Sequence, residues 1–464
     1  MSEIKIGLET HVQLDTRTKL FCGCPNEEAE GPNTHTCEVC LGLPGSKPRT
    51  NEKAVEAGLE TGLALDCDIA EEVVFSRKTY FYPDMSKNFQ ITQYEEPIAE
   101  DGELEIDGNA IGIKRVHIEE DPAKLVHRGG SMEQADYTLV DYNRAGVPLL
   151  EVVTRPDFES PGEARRFLQK LTRILEYLGV YDRGSSSIRS DANISVGGGN
   201  RVEVKNINGT RGVEEALEHE RKRQERVHGR GEEVRRETRN WDSEAEKTTS
   251  LRSKEEEQDY GYIFEPDLVE VEVESGRVEG ARKRLPELPD EKRSRFIEEY
   301  GIEEELADSL ITDPNLADTF EEASEEVGAE LAASWFSGPI KKTLNYHEIS
   351  YSESPLKEEW VVDVLRRLQQ GEVSDQAAEK VFREMVEEPR EPGEIIEDEG
   401  LARSRGDELE GYVEEAIEEN DEAVADYRGG DGEAINFLVG KVMEKSGGSA
   451  DPKEVRELLE ENLD

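Results

Sequence analysis

The sequence predicts an α+β protein in which a strand-rich N-terminal part precedes a helical C-terminal part. Segments of alternating apolar and polar residues recur up to residue 268, with helices among them. Beyond the prolines of 285–289, apolar residues recur at helical spacing and β-branched residues are few. These shifts predict three domains, at 1–288, 289–404 and 405–464, which suits a chain of 464 residues.

The chain is strongly acidic. It carries 108 acidic and 57 basic side chains, a formal net charge of −51. Such an imbalance often indicates disorder, but 35% of the residues are hydrophobic and periodic segments run almost the full length, so we predict a folded protein. An acidic excess in every segment is typical of a salt-rich cytosol, where ions screen repulsion between carboxylates. We therefore expect a halophilic source and no simple basic patch for nucleic acid, while RNA recognition by shape and hydrogen bonding stays open.

The sequence predicts neither a signal peptide nor a membrane span. Residues 1–5 lack a charged-then-apolar leader, and no apolar stretch is long enough to cross a bilayer. We expect a cytoplasmic protein that does not associate with membranes. Five cysteines are too few for a disulfide framework, and in a reducing compartment they indicate metal binding or free thiols.

Four of the cysteines form two close pairs, Cys22 with Cys24 and Cys37 with Cys40, on either side of a short loop. Four thiolates that converge from two tight turns form a tetrahedral zinc site. Such a site is structural because it leaves no coordination position open. We predict a zinc knuckle here, with four reduced structural cysteines as the alternative, and we expect Cys67 to be a core residue.

The first strand, at 6–14, has one apolar and one polar face. Its polar face presents Glu9, His11 and Gln13. Successive residues on one face lie about 7 Å apart, so Glu9 and His11 could bind one ion or one phosphate. The alternative is a half-buried edge strand whose polar face meets solvent.

Two later strands carry carboxylates within apolar surroundings. Glu119 and Glu120 are adjacent, so only one of them can face a given site. Glu151 lies alone in an apolar strand, and a buried carboxylate needs a cation, a hydrogen-bond partner or a proton. A structural salt bridge is the alternative for Glu151.

Basic and aromatic residues are dense in the run 75–84, a composition suited to hold phosphate and to stack on a base or ribose. An aromatic core strand with exposed charges is the alternative. The sequence contains no P-loop motif, so a nucleotide would have to be held by carboxylate-bound magnesium and by basic side chains. We expect nucleotide contacts from Arg77, Tyr80, Tyr82, Arg189, Asp191 and Lys205.

Local patterns predict the remaining elements. Helices are expected at 51–65, at 160–179 after the capping box Ser160-Pro161-Gly162-Glu163, and at 213–228. Strands at 187–196 and 201–207 flank a glycine-rich hairpin turn. Further strands are expected at 237–239, 251–254 and 264–268, and further helices at 295–300, 316–327, 329–344, 360–368 and 434–443.

Several runs, taken together and in order, resemble the B subunit of the glutamyl-tRNA(Gln)/aspartyl-tRNA(Asn) amidotransferases. They are GLETHVQ (7–13), CEVCLGLPG (37–45), YFYPD (80–84), DYNRAGVPL (141–149), DANISV (191–196) and EPDL (265–268). The resemblance covers essentially the whole chain. It implies a cradle-shaped antiparallel-sheet domain with flanking helices, an all-α domain and a small all-α tail domain that contacts tRNA.

The resemblance also implies a reaction and partners. ATP phosphorylates the side-chain carboxylate of Glu or Asp mischarged on tRNA(Gln) or tRNA(Asn), and ammonia then displaces the phosphate. A glutaminase A subunit supplies the ammonia through a tunnel, and a small C subunit completes a heterotrimer. An acyl phosphate provides the leaving group that a carboxylate lacks, and magnesium neutralises the phosphates during transfer. The expected cofactors are therefore ATP, Mg²⁺ and Zn²⁺.

Site residues follow from the same resemblance. Glu9, His11, Glu120 and Glu151 match magnesium-binding positions and, with Lys78 near the tunnel exit, are the expected catalytic residues. Imidazole is an uncommon ligand for magnesium. The alternative for His11 is therefore a contact with a water molecule or with the substrate. The four paired cysteines match a zinc knuckle that some members of the family carry.

One run departs from the family, and two other functions compete. Residues 184–187 read Gly-Ser-Ser-Ser where the family usually has Glu-Glu-Gly-Ser. One competing function is the related archaeal E subunit, which acts on Glu-tRNA(Gln) but carries an inserted domain for which this chain has no room. The other is a zinc-bearing tRNA-binding scaffold without kinase activity, which would not need the carboxylates at 9, 120 and 151.

Overall fold

The computed structural model describes residues 3–129, 135–251, 261–403, 407–429, 432–447 and 449–463. The chain divides into two compact units, Met1–Leu288 and Pro289–Asp464. The first unit is built on β-sheets with flanking helices, and the second is helical, which confirms the predicted α+β class. Within the described ranges, no helix is long and apolar enough to cross a membrane.

The described part of the first unit contains sixteen strands and four helices. The strands are β1 (Ile4–Gln13), β2 (Asp68–Ile69), β3 (Glu72–Val73), β4 (Ser76–Thr79), β5 (Phe89–Thr92), β6 (Ala99–Ile106), β7 (Asn109–Glu120), β8 (Lys124–Arg128), β9 (Tyr137–Asp141), β10 (Pro148–Thr154), β11 (Ile188–Val196), β12 (Val202–Asn208), β13 (Glu237–Asp242), β14 (Lys247–Ser250), β15 (Gly261–Phe264) and β16 (Val271–Glu272). The helices are α1 (Glu52–Ala64), α2 (Pro161–Tyr177), α3 (Gly209–Gly229) and α4 (Ser275–Arg284). The strand predicted at 251–254 falls largely outside the described residues, because 252–254 are not among them.

Nine strands form the main sheet, in the order β14-β13-β12-β11-β1-β10-β7-β6-β2. Neighbouring strands are antiparallel except β12 and β13, which are parallel. This exception to the predicted antiparallel sheet has a simple cause: α3 connects the two strands, and a parallel pair needs such a crossover. A three-stranded sheet, β15-β4-β5, lies in the same unit.

The position of β1 settles one of the alternatives for the first strand. β1 is the fifth of nine strands and pairs with both β10 and β11, so the edge-strand interpretation is wrong. Its apolar residues Ile6, Leu8 and Val12 are at most 1% exposed and belong to the core, while Ile4 is half-buried. The polar side chains of β1 therefore lie at the centre of the other face of the sheet, among polar side chains of the neighbouring strands.

The capping box predicted at the start of α2 forms, except that its reciprocal hydrogen bond comes from the residue before the N-cap. Ser160 Oγ accepts a hydrogen bond from the backbone N–H of Glu163 at 3.2 Å. The Glu163 carboxylate accepts in turn from the backbone N–H of Glu159 at 2.7 Å. Pro161 occupies the first helical turn, where its missing N–H costs nothing.

The second unit consists of helices. They are α5 (Pro289–Tyr300), α6 (Glu304–Leu310), α7 (Pro314–Val327), α8 (Ala329–Trp335), α9 (Lys341–His347), α10 (Glu358–Gln369), α11 (Asp375–Glu387), α12 (Pro392–Asp398), α13 (Asp407–Glu419), α14 (Asp421–Arg428), α15 (Ala434–Lys445) and α16 (Pro452–Leu463). The helix predicted at 329–344 is interrupted by a π-helical turn, Phe336–Ile340, because Pro339 cannot donate a backbone hydrogen bond. Apolar side chains of this unit form one cluster within 296–401 and another within 409–463. The domain boundaries drawn from the sequence stay predictions.

Candidate active site

Three neighbouring strands bring one imidazole and two carboxylates together on the polar face of the main sheet. His11 Nε2 on β1 lies 3.6 Å from Glu119 Oε1 on β7 and 3.6 Å from Glu151 Oε2 on β10. One ligand atom from each residue lies within 4.8 Å of the others. The strand register explains the convergence, since His11 is directly opposite Glu151 across the β1–β10 pair. We call these three residues the carboxylate cluster.

The cluster contains Glu119 in place of the expected Glu120. Successive side chains of β7 point to opposite faces, so only Glu119 reaches His11. Glu120 is instead held by Lys87 Nζ at 2.7 Å, and it accepts a hydrogen bond from the backbone N–H of Ile91 at 2.9 Å. In the carboxylate cluster Glu119 thus takes the place that was expected of Glu120, and magnesium binding by these residues stays a prediction.

A second histidine supports the cluster from within the sheet, and the sequence reasoning missed it. His117 is 2% exposed, and its Nε2 lies 2.9 Å from Glu151 Oε2 and 3.8 Å from Glu119 Oε2. It sits two residues before Glu119 and thus on the same face of β7, which is the signal that could have identified it. Thr92 donates a further hydrogen bond to Glu119 at 3.2 Å.

Mutual stabilisation of charge sets the protonation states of these groups. Burial alone would lower the pKa of His11, but the carboxylates of Glu151 and Glu119 outweigh it and raise that pKa. Burial likewise opposes charge on His117, yet Glu151 and Glu119 raise its pKa to about 9. The imidazoles in turn lower the pKa of Glu151 although burial acts in the opposite direction. Both cluster carboxylates are therefore ionised at neutral pH.

Glu9 lies beside the carboxylate cluster but outside it. Asn193 Nδ2 donates a hydrogen bond to Glu9 Oε1 at 3.2 Å, and Asp191 is the directly opposite residue on β11. Burial raises the pKa of Glu9, and the nearby charge of Glu151 raises it further. This carboxylate thus shares the cavity with the cluster without joining its set of close ligand atoms.

The carboxylate cluster lines a cavity of about 500 Å³. Among the described residues that line it, seven are basic and five are carboxylates. The basic residues are Lys78, Lys114, Arg115, Arg155, Arg201, Lys205 and Arg236. The carboxylates are Glu9, Glu119, Glu151, Asp191 and Glu203. In a chain of net charge −51, this local excess of cations favours an anionic ligand.

The residues expected to contact a nucleotide, together with Lys78, divide into two groups. Lys78, Asp191 and Lys205 line the cavity. Lys205 Nζ lies 3.3 Å from carboxylate oxygens of both Asp191 and Glu203, which raise its pKa against the effect of burial. It is therefore a fixed, fully charged cation on the cavity wall.

The other four expected residues are not part of that lining. They are Arg77, Tyr80, Tyr82 and Arg189. Arg77 makes two hydrogen bonds to the buried Glu265, at 2.7 and 2.8 Å, and its guanidinium stacks on Phe89. Its alternation with Lys78 along β4 explains the difference, because neighbouring strand residues face opposite sides.

Two tyrosines that the sequence reasoning passed over do line the cavity. Tyr94 and Tyr262 stack with ring centroids 3.8 Å apart and an interplanar angle of 17°. Tyr262 is directly opposite Lys78 across the β15–β4 pair, and so shares its face. No sequence motif marks either residue, since their proximity arises from strand pairing between distant segments.

The two carboxylates of the cluster suit magnesium by their chemistry. In octahedral coordination at about 2.1 Å, adjacent ligand atoms lie about 3 Å apart and opposite ones about 4.2 Å. The separations of His11 from both carboxylates are 3.6 Å, so the side chains would have to move closer together to occupy adjacent positions on one ion. Two ionised carboxylates supply the oxygen ligands that magnesium prefers.

A second cluster in the first unit consists of four cysteines, and its geometry fits zinc. They are Cys22, Cys24, Cys37 and Cys40. Their sulfurs all lie within 4.8 Å of one another, and all four are free thiols. Cys37 and Cys40 have their sulfurs 3.9 Å apart, close to the edge of about 3.8 Å expected for a tetrahedron with Zn–S bonds of about 2.3 Å. Cys67 lies apart from them in the core, as predicted.

A buried lysine next to the thiols gives independent support for a negatively charged metal site. Lys19 is 0% exposed, and its Nζ donates to the backbone oxygens of His35 at 2.7 Å and Tyr142 at 3.4 Å. Among the described residues, no carboxylate lies within ion-pair distance of it. A buried ammonium needs a counter-charge, and a zinc ion with four thiolates carries two negative charges. The pKa of Cys40 is lowered to about 5, chiefly by a hydrogen bond from Cys22, and Lys19 acts in the same direction.

Comparisons with known proteins agree over the full length of the chain. The family model described as "GatB/GatE catalytic domain" matches residues 4–279, and the one described as "GatB domain" matches residues 318–463. Three relatives are each named as the B subunit of an aspartyl/glutamyl-tRNA(Asn/Gln) amidotransferase. The protein of Halobacterium salinarum is 50% identical, with 99% of this chain and 97% of the relative covered. The protein of Haloarcula marismortui is 47% identical with the same coverage, and that of Methanosarcina barkeri is 46% identical over 99% of this chain and 98% of the relative.

The fold, the site and these matches first define a class: the first unit is a catalytic domain of the type shared by GatB and GatE proteins. The second match and the names of the relatives then distinguish within that class. The chain belongs to the family of aspartyl/glutamyl-tRNA(Asn/Gln) amidotransferase B subunits, and is thus a component of an amidotransferase. This confirms the resemblance found in the sequence.

Proposed function

We propose that this chain activates the side-chain carboxylate of Glu or Asp mischarged on tRNA by transferring a phosphoryl group to it from ATP. The observation that carries the proposal is the carboxylate cluster within a cavity whose lining is net cationic. Phosphoryl transfer needs both features, because a divalent cation and positive side chains must neutralise the phosphates. A protein that only binds tRNA would have no use for a buried set of metal-binding carboxylates.

The cluster residues hold the divalent cation in this proposal. His11, Glu119 and Glu151 bind Mg²⁺, and His117 keeps the Glu151 carboxylate in its orientation through the 2.9 Å contact. When bound, the ion supplies positive charge to the phosphate oxygens and aligns the reacting groups. Because the donors come from adjacent strands of one sheet, the backbone holds them next to one another before the substrate arrives.

Basic residues of the cavity wall hold the phosphates. Lys205 is anchored by its two carboxylate partners, and Lys78 lies close enough to Glu151 to lower the pKa of that carboxyl. A rigid cation needs little reorganisation when charge shifts from ATP to the acceptor carboxylate. The attacking carboxylate oxygen forms a bond to the γ-phosphorus as the bond to the ADP oxygen breaks.

The acyl phosphate is then open to ammonia, which adds to the acyl carbon and releases inorganic phosphate. We infer that a glutaminase subunit supplies the ammonia and that a small third subunit completes the assembly, as the resemblance found in the sequence implies. The names of the relatives support only that the enzyme has more than one subunit. The Zn²⁺ of the knuckle has a structural role in this scheme. Four sulfur ligands leave it no position for substrate.

The test separates phosphorylation from amidation in the assembled enzyme. Without glutamine, hydroxylamine traps the acyl phosphate on Glu-tRNA(Gln) or Asp-tRNA(Asn) as a side-chain hydroxamate, which is separated from the α-hydroxamate that the aminoacyl ester gives without enzyme, and ADP forms in an amount equal to the side-chain product. Glu151→Gln should abolish both products, whereas Glu103→Gln, which changes an exposed carboxylate of β6, should leave them unchanged. Parental hydroxamate formation by folded Glu151→Gln would refute the proposal.

A further inference from the structure

The stacked tyrosines are an unusual feature for so polar a cavity. Tyr94 and Tyr262 present flat aromatic surface in the same lining that carries the carboxylate cluster and the basic side chains. Both rings are half-buried, so part of their surface faces the cavity. A stacked pair that served only the core would be covered by other apolar side chains.

The backbone around the pair is held firmly. Tyr262 lies on β15, opposite Lys78 of β4. Tyr94 follows Gln93, which is 1% exposed, and the Gln93 amide donates to the backbone oxygens of Val74 at 3.3 Å and Glu96 at 3.2 Å. Gln93 Oε1 also accepts from the backbone N–H of Ile118 at 3.0 Å, which ties this segment to β7.

The surroundings decide which flat ligand such a surface would bind. Lys78 shares the face of Tyr262, and the carboxylate cluster lies in the same cavity, so phosphate and metal can be bound close to the rings. A nucleotide combines these features, because it carries a flat base and phosphates that bind a divalent cation. Stacking of a base on an aromatic side chain contributes about 1–3 kcal/mol per base.

We propose that Tyr94 and Tyr262 form an adenine-binding subsite of this cavity. The inference rests on the proposed function, in which two substrates carry adenine: ATP, and the 3′-terminal adenosine of the aminoacyl-tRNA. The shared chemistry is an adenine ring stacked on the outer face of the tyrosine pair. The two tyrosines expected from the sequence, Tyr80 and Tyr82, are not in the cavity lining.

Matched variants test the subsite in the full chain. Tyr94→Leu and Tyr262→Leu remove an aromatic face, whereas Tyr94→Phe and Tyr262→Phe keep it. Equilibrium binding is measured for Mg–ATP, for Mg–tripolyphosphate, which has no base, and for a non-hydrolysable glutamyl-adenosine. Thermal unfolding of each variant confirms that it is folded.

The leucine variants should weaken Mg–ATP binding about 5- to 150-fold, the equivalent of losing one stacked base, while the phenylalanine variants bind normally. Mg–tripolyphosphate should bind all variants equally. If glutamyl-adenosine alone is weakened, the subsite takes the terminal adenosine of tRNA instead of ATP, which still supports an adenine site. Unchanged binding of both adenine ligands by folded leucine variants overturns the inference.

Failure of the proposed function gives a different pattern. The parental chain would then bind neither Mg–ATP nor Mg–tripolyphosphate. Binding of glutamyl-adenosine still tests the subsite in that case. Weaker binding by the leucine variants supports it, and equal binding overturns it.

Discussion

Glu119 and Glu120 are adjacent in sequence, yet their carboxylates lie on opposite faces of β7. Glu119 approaches His11 in the cavity, whereas Glu120 is held by Lys87 on the other side of the sheet. One of these adjacent residues thus belongs to the candidate active site, and the other to a buried ion pair on the opposite face of the sheet. The two residues should therefore respond differently to the same loss of charge.

Glu119→Gln should lower hydroxamate formation by about 100-fold or more, since it removes a charged ligand of the divalent cation. Its free energy of unfolding should fall less than that of Glu120→Gln, because Glu151 remains as a charged partner of both imidazoles. Glu120→Gln should keep magnesium-dependent activity but lose about 3 kcal/mol of stability, because Lys87 stays largely buried without its partner. Urea unfolding and the hydroxamate assay measure the two effects. The reverse pattern, with activity lost only in Glu120→Gln, would restore the assignment made from the sequence.

Magnesium binding should release a proton. His11 carries a raised pKa because the two cluster carboxylates outweigh the effect of burial, so its protonated form competes with the metal. The apparent affinity for Mg²⁺ should rise with pH until His11 is neutral and weaken as the pH falls through its pKa. Calorimetry at one pH in two buffers of different ionisation enthalpy reports the protons released.

His11→Gln provides the control for this titration. The amide has no proton to release, so most of the buffer dependence should disappear. His117 stays in this variant and can contribute a remainder through its contact with Glu151. At about pH 6, below the raised pKa of His11, magnesium binding that releases no proton in the parental chain would show that His11 is not a ligand.

Some elements of the fold could be predicted from the sequence, and others could not. The alternation in β1, the capping box of α2 and the spacing of the cysteines are local patterns, and each has a local cause that the structure shows. The side of the sheet that Glu119 or Glu120 faces depends on the register of β7 against β10. That register is set by pairing between segments about thirty residues apart.

The aromatic residues illustrate the same limit. Composition directed attention to Tyr80 and Tyr82, which lie in a dense basic and aromatic run. The cavity instead contains Tyr94 and Tyr262, which β4, β5 and β15 bring together from distant parts of the chain. His117 was missed for a related reason, since its i, i+2 spacing to Glu119 becomes informative only once Glu119, and not Glu120, is known to face the cavity.

Removing the charge of Lys19 should weaken zinc binding. Lys19→Met keeps the length of the buried side chain but removes the only cation that we assign to the thiolate site. Loss of an outer partner of a metal site typically costs about 10- to 100-fold in affinity. Competition with a chromogenic chelator measures the affinity, and Lys47→Met, which changes an exposed lysine near the same cysteines, is the control. Equal zinc affinity in both variants would show that Lys19 has another counter-charge.

Salt should act on the fold and on the cavity in opposite directions. The acidic surface repels itself, and the Debye length shortens from about 10 Å at 0.1 M to about 3 Å at 1 M salt, so added KCl should raise the unfolding temperature. The cavity has the opposite local charge, and the same screening should weaken its binding of Mg–tripolyphosphate. Thermal unfolding and equilibrium binding over one KCl series, with Mg²⁺ fixed, measure both trends.

A halophilic source, which stays a prediction, requires that the unfolding temperature rise with salt. An unfolding temperature independent of salt would contradict it. Binding that strengthens with salt once the fold is fully formed would show that the cations of the cavity do not hold the phosphates.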